Sequence, residues 1–224
     1  MKQLIRTGRL IGALLLLQVI FGILLNFVFT APLFGEPGFL INAAPHATRI
    51  AQSVLIGIGM GLVSLAVGSI VYPVFRNDSQ PLALFYFALV CAGFALSVAE
   101  NISMLSMLSL SKAYVESGGT QEALYQGLRI VVKETRNWTH YLSLIVSGAT
   151  LFAFYTALLR GRLIPAPLAV IGLLAVCSQL VAVCMPLFGR DVDFRLIAPL
   201  GICQIVLGLW LLARGFRPPA AASA

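Results

Sequence analysis

The chain has 224 residues and a net charge of +7; 59% of its side chains are hydrophobic and only 10% charged. Soluble domains run at about 45–50% apolar and about 25% charged residues, and one soluble core of this length could not bury so much apolar side chain. The composition therefore excludes a soluble globular domain and indicates an integral membrane protein. The basic residues sit mostly at the ends of apolar runs, with no basic patch interleaved with aromatics, so nucleic acid is not expected as a partner.

Crossing the hydrocarbon takes about 20 apolar residues. The first qualifying stretch, 10–30, follows Lys2, Arg6 and Arg9, as a secretory signal would. It exceeds the usual apolar region of about 7–15 residues, and "FVFTAPLF" beyond it offers no small-x-small cleavage site, so it reads as a retained span. "APLFGEPGFLINAAPHATR" leads to the second span, 50–75, and "RNDSQP" is a tight turn before the third, 82–110. The fourth, fifth and sixth spans are 138–159, 167–187 and 196–213, separated by "RGRLIPAP" and "GRDVDFR".

The segment 111–137 is more than a loop. Gly118-Gly119 breaks the third helix, and Thr120 is expected to cap a new one with Glu122 in its first turn. Leu124, Leu128, Val131 and Val132 fall on one face, with Arg129, Lys133 and Arg136 on another. No proline follows before Pro165, so 120–160 is expected to form one long helix whose outer part is amphipathic. The fold class is thus all-α: a polytopic six-transmembrane-helix bundle with an amphipathic outer segment between helices three and four, forming a single membrane domain over 1–224.

With the N-terminus inside, the short inside segments hold Lys2, Arg6, Arg9, Arg76, Arg160, Arg162, Arg214 and Arg217 against Asp78. This favours cytoplasmic N- and C-termini. Small residues recur at helical spacing in Gly57, Gly61, Ser64 and Gly68, in Gly8, Gly12 and Gly22, and in Gly201 and Gly208 beside Gln204, as close helix packing in lipid requires. Cys91, Cys177, Cys184 and Cys203 lie in apolar runs without metal or redox spacing and read as small hydrophobes.

Most strongly polar intramembrane residues then fall in the outer half. Glu100 lies about 27 Å along the third helix at about 1.5 Å per residue, and Gln179 and Gln204 lie in the outer half or near the middle of the fifth and sixth. Arg129, Lys133, Arg136, His140, Ser143 and Ser147 follow steps of four, three, four, three and four residues, which keeps them on one helical face. Ser97, Glu100, Asn101 and Met104 share a face of the third helix. A buried ion needs a partner, so Glu100 is expected to face the interior and pair with His140 or Arg136; alternatively it stands protonated, because burial disfavours the charged form. The pairing either lines a polar cavity or only fastens two helices together.

The residues suggest several chemistries. His46 and His140 with Glu100 have no metal-site spacing, and neither a metal nor another cofactor is expected. A hydrolase pairing Ser97 or Ser103 with His140 is conceivable, although serines in membrane helices mostly bond their own backbone. A cation-lined opening above a polar pocket suits an amphiphile with an anionic head.

"RLIG" ahead of an apolar run, the glutamate of helix three, the histidine near the start of helix four, "LLRGRLIPAPLAVIGLLA" and the closing "WLLARGF" together resemble the bacterial membrane family of the domain of unknown function 4386. The resemblance covers about residues 6–216, most specifically the basic loop with Ile164-Pro165, Leu168 and Gly172. Glu100 and His140 match positions where that family tends to carry Glu and His; Pro167 and the basic segment before helix four depart from its pattern. It implies a six-helix membrane fold and no activity.

The resulting expectation is a multi-pass protein of a bacterial inner membrane with an outward-facing polar cavity formed by Glu100, Asn101, Arg136, His140, Ser143, Gln179 and Gln204. It would bind or transport a small amphiphilic or anionic ligand such as a lipid, with membrane lipids as partners. The alternatives are an intramembrane lipid hydrolase or transferase and a non-catalytic scaffold subunit.

Overall fold

The structure is a computed structural model that describes residues 2–118 and 120–217; Gly119, half of the expected glycine break, lies outside the described residues. Among the described residues all regular structure is helical. Helix α1 (Lys2–Ile23) runs on through a π-helical stretch (Leu24–Thr30) into the short α2 (Ala31–Phe34). Then follow α3 (Phe39–Asn42), α4 (Ala47–Arg76), α5 (Gln80–Glu116), α6 (Glu122–Arg160), α7 (Ala166–Cys184), a 3-10 turn (Met185–Phe188) and α8 (Phe194–Arg214). Six helical segments are long and apolar enough to cross a membrane: Lys2–Phe34, Ala47–Arg76, Gln80–Glu116, Glu122–Arg160, Ala166–Phe188 and Phe194–Arg214. They match the six predicted spans, and the protein is a multi-pass membrane protein.

Each segment exposes large apolar side chains, among them Phe27, Leu55, Ile102, Phe152, Leu174 and Ile202. A soluble protein rarely exposes so much apolar surface, as a membrane-spanning helix does toward acyl chains. The 37 residues of α5 and 39 of α6 are about 55–60 Å long at about 1.5 Å per residue, well beyond a hydrocarbon core of about 30 Å. The expected long helix over 120–160 is therefore present as α6.

Its start differs from expectation. Thr120 does not cap α6: its hydroxyl donates to the Ser117 carbonyl at 2.9 Å. The third and fourth α6 amides, Leu124 N and Tyr125 N, bond instead to the Gln121 carbonyl, and Gln121 takes a left-handed φ of 60°. The turn needs left-handed backbone at Gly118 as well (φ 61°), which glycine adopts without steric penalty. Tyr114 donates to Glu122 at 2.7 Å and Tyr125 to the Ala113 carbonyl at 3.1 Å, which ties the two helix ends together.

The chain divides into two compact units. The first comprises residues up to Val19, Val63–Gly93 and the chain from Leu144 onward. Its core is built on Ile11, Val71, Phe75, Tyr86, Phe154, Tyr155 and Leu207. Here the predicted small-residue packing is realised. A Cβ at Gly12 would stand 2.7 Å from the Gly208 carbonyl oxygen, and one at Gly208 would meet the Leu16 side chain. A Cβ at Gly201 or Gly22 would meet nothing within 4 Å among the described residues, so neither marks a close helix approach.

The second unit comprises Ile20–Leu62 and Phe94–Ser143. Its core is Leu33, Phe39, Leu40, Ala43, Ile50, Val54, Met104, Met107 and Leu108. The first connection, residues 31–46, thus contributes four core residues and is folded rather than a solvated loop. Ser111 on α5 pins it: its fully buried hydroxyl donates to the Leu40 carbonyl at 2.9 Å and accepts from the Ala44 amide at 2.8 Å.

Candidate functional site

Arg136 and His140 are four residues apart on α6, so both point toward the same neighbour. That neighbour is Glu100 on α5. Its Oε1 is 2.8 Å from His140 Nδ1 and 3.4 Å from Arg136 Nη2. The carboxylate thus meets both partners expected from the sequence, through a single oxygen. The three side chains keep 22% (Glu100), 27% (His140) and 13% (Arg136) of their exposure, so the cluster is recessed without being sealed. The Arg136 guanidinium also lies over the Phe34 ring, 5.2 Å from its centroid, while its buried Nε has no hydrogen-bond partner among the described residues.

The other predicted site residues have different surroundings. Asn101 Nδ2 donates to the Ser97 carbonyl at 2.8 Å, and its side chain fills the space beside Gly57, where a Cβ would stand 2.9 Å from Oδ1. Ser143, half-buried three residues beyond His140, makes no hydrogen bond among the described residues. Gln179 and Gln204 belong to the first unit. There Gln179 Oε1 and Gln204 Nε2 are buried without hydrogen-bond partners among the described residues, as is the Tyr155 hydroxyl. Ser147, last in the α6 series, is also in the first unit and is exposed.

The two serines weighed as nucleophiles are engaged with backbone. Ser97 Oγ donates to the Phe94 carbonyl at 2.9 Å and Ser103 Oγ to the Ala99 carbonyl at 3.0 Å. This is the usual behaviour of hydroxyls in membrane helices. His46 lies just after α3, where its Nδ1 is 2.7 Å from the Asn42 carbonyl oxygen.

The sequence reading missed the role of the first connection. Its residues Phe34, Gly35, Glu36, Gly38 and Phe39 join Arg129 and Lys133 of α6 in lining a cavity of about 310 Å³. The apolar residues Leu33, Phe34, Phe39 and Leu40 among its glycines and prolines were the available signal, since a solvated loop has little use for them.

The family described as Domain of unknown function (DUF4386) matches residues 10–215. The chain belongs to the DUF4386 family. Comparison with curated proteins and with solved structures finds no match. In this DUF4386 protein the matched region includes the whole Glu100–Arg136–His140 cluster and the cavity beside it.

Proposed function

We propose that this DUF4386 protein binds or transports an amphiphile with an anionic head, at a polar centre of Glu100, Arg136 and His140 with Asn101 and Ser143 beside them. The observation that carries the reading is the recessed cluster itself: two nitrogen-bearing side chains converge on one carboxylate oxygen within membrane-spanning helices. Ionisable groups at such positions are costly and commonly mark ligand or ion paths. Lys133 and Arg129 stand one and two turns before Arg136 on α6 and extend the cationic face away from the cluster. An anionic head is drawn along such a face while its apolar tail stays among acyl chains. Gln179 and Gln204 belong to the other unit and are not assigned to this centre.

We take the membrane to be a bacterial inner membrane, with both termini cytoplasmic and the polar centre toward the outer face. The support is the family resemblance and the short segments rich in Lys and Arg on the side of the termini.

Native mass spectrometry of wild-type protein and Glu100→Gln tests the function. The expected result is a co-purified lipid on the wild type that is depleted from the variant. Equal occupancy of the two proteins would remove Glu100 from the binding site.

A further inference from the structure

The cavity between the first connection and α6 is distinct in its chemistry from the Glu100 cluster. Two cations, Arg129 and Lys133, and one carboxylate, Glu36, line a space of about 310 Å³. That volume is at the small end of the roughly 300–1,000 Å³ typical of ligand pockets. Among the described residues neither cation makes an ion pair or a hydrogen bond within the protein. The Arg129 guanidinium approaches the loop closely: Nη1 lies 3.8 Å from where a Cβ at Gly38 would stand. Gly38 itself has a φ of 108°, which only glycine adopts readily, so the loop wall beside the guanidinium depends on this residue.

The wall is also held in place. Gly38 N donates to the Gly35 carbonyl at 2.8 Å and Asn42 Nδ2 to the same oxygen at 2.8 Å. Phe34 is gripped from one side by the Arg136 guanidinium, and the buried Ser111 hydroxyl fixes the segment that follows. The connection side of the cavity is therefore a folded wall.

Depth suggests the occupant. Trp138 and Tyr141, packed edge to face on α6, are residues typical of the membrane–water interface. Lys133 and Arg129 lie about 8–14 Å further along the helix at about 1.5 Å per residue, in the direction away from the apolar part of the span. Trp and Tyr rings themselves sit at the headgroup level, so Lys133 and Arg129 stand at the water-facing edge of the headgroup layer. A planar guanidinium and an ammonium one helical turn apart match one group carrying several anionic oxygens, which is the chemistry of a phosphate ester.

We infer that the cavity lined by Glu36, Gly38, Arg129 and Lys133 is a subsite for the phosphate headgroup of an anionic phospholipid. The inference rests on the amphiphile-binding reading above and names its ligand class.

The test measures binding to purified protein in nanodiscs of phosphatidylcholine with and without phosphatidylglycerol, by native mass spectrometry of retained lipid. Wild type is expected to retain phosphatidylglycerol selectively, and Arg129→Gln/Lys133→Gln to lose that retention by about tenfold or more. Arg49→Gln/Lys112→Gln removes the same charge from residues outside the cavity and should leave retention unchanged. Glu36→Gln removes the opposing carboxylate and should strengthen retention, a gain that a misfolded variant cannot give; Glu116→Gln should not.

Unchanged retention in Arg129→Gln/Lys133→Gln would overturn the subsite, as would an equal loss in Arg49→Gln/Lys112→Gln, which would mark diffuse surface charge. Inorganic phosphate or glycerol phosphate competing as well as the lipid would replace the lipid headgroup by free phosphate. A wild type that retains no lipid defeats the binding reading and this inference together. Loss on Glu100→Gln with no loss on Arg129→Gln/Lys133→Gln defeats the inference alone.

Discussion

The guanidinium of Arg136 lies 5.2 Å above the ring of Phe34 while its Nη2 reaches Glu100 Oε1 at 3.4 Å. One side chain thus joins the Glu100–His140 ion cluster to the folded first connection. Phe34 also lines the Arg129–Lys133 cavity, so the connection, the cavity and the ion cluster share this contact.

Arg136→Met should lower the thermal unfolding midpoint in detergent, because it removes both interactions while keeping much of the side-chain volume. In a Phe34→Leu background the same substitution should cost less, by about 0.5–2 kcal/mol, the contribution expected of a cation over an aromatic face. Additive losses in the double-mutant cycle would show that the ring and the guanidinium do not interact.

Glu100→Gln leaves Arg136 and His140 without their shared carboxylate. Glu100→Gln and His140→Gln should couple by about 0.5–3 kcal/mol in unfolding measurements, since each removes the same 2.8 Å contact. Zero coupling would mean that the two side chains act separately.

Glycine substitutions should split by sign. Gly12→Ala drives a methyl against the Gly208 carbonyl of α8, where backbone must yield, and should destabilise by about 1–3 kcal/mol. Gly22→Ala meets nothing within 4 Å and should gain up to about 1 kcal/mol from helix propensity. Thermal melts of both variants in one detergent check the contrast.

Ser111→Ala removes a donor to Leu40 and an acceptor from Ala44. Peptides covering residues 38–46 should exchange amide hydrogen faster, while those in α7 and α8 stay unchanged. Uniformly faster exchange would indicate global loss of stability instead of release of the connection.

Sidedness can be read by labelling. In a variant with the four native cysteines replaced, Glu116→Cys should react with an impermeant maleimide in intact cells, and Asn77→Cys only after lysis. The reverse pattern would invert the proposed topology.

The six spans were legible in the sequence because lipid leaves backbone groups no partner except their own helix, so a long apolar run has one structural solution. The Glu100 pairing was legible for a related reason: helical periodicity fixes which residues of α6 share a face, and a carboxylate at that depth requires a cation there. The close approach at Gly12 and Gly57 was readable as a stripe of small residues, whereas Gly22 and Gly201 fit the same pattern yet have open space where a Cβ would stand. Periodicity selects a face and cannot say whether another helix lies against it. Tertiary structure alone decided that the connection over 31–46 folds onto α5, that Gln121 rather than Thr120 receives the first bonds of α6, and that Glu36 lines one cavity with Arg129 and Lys133. Those relationships join residues far apart in the chain, and they depend on packing and turn geometry that no local pattern encodes.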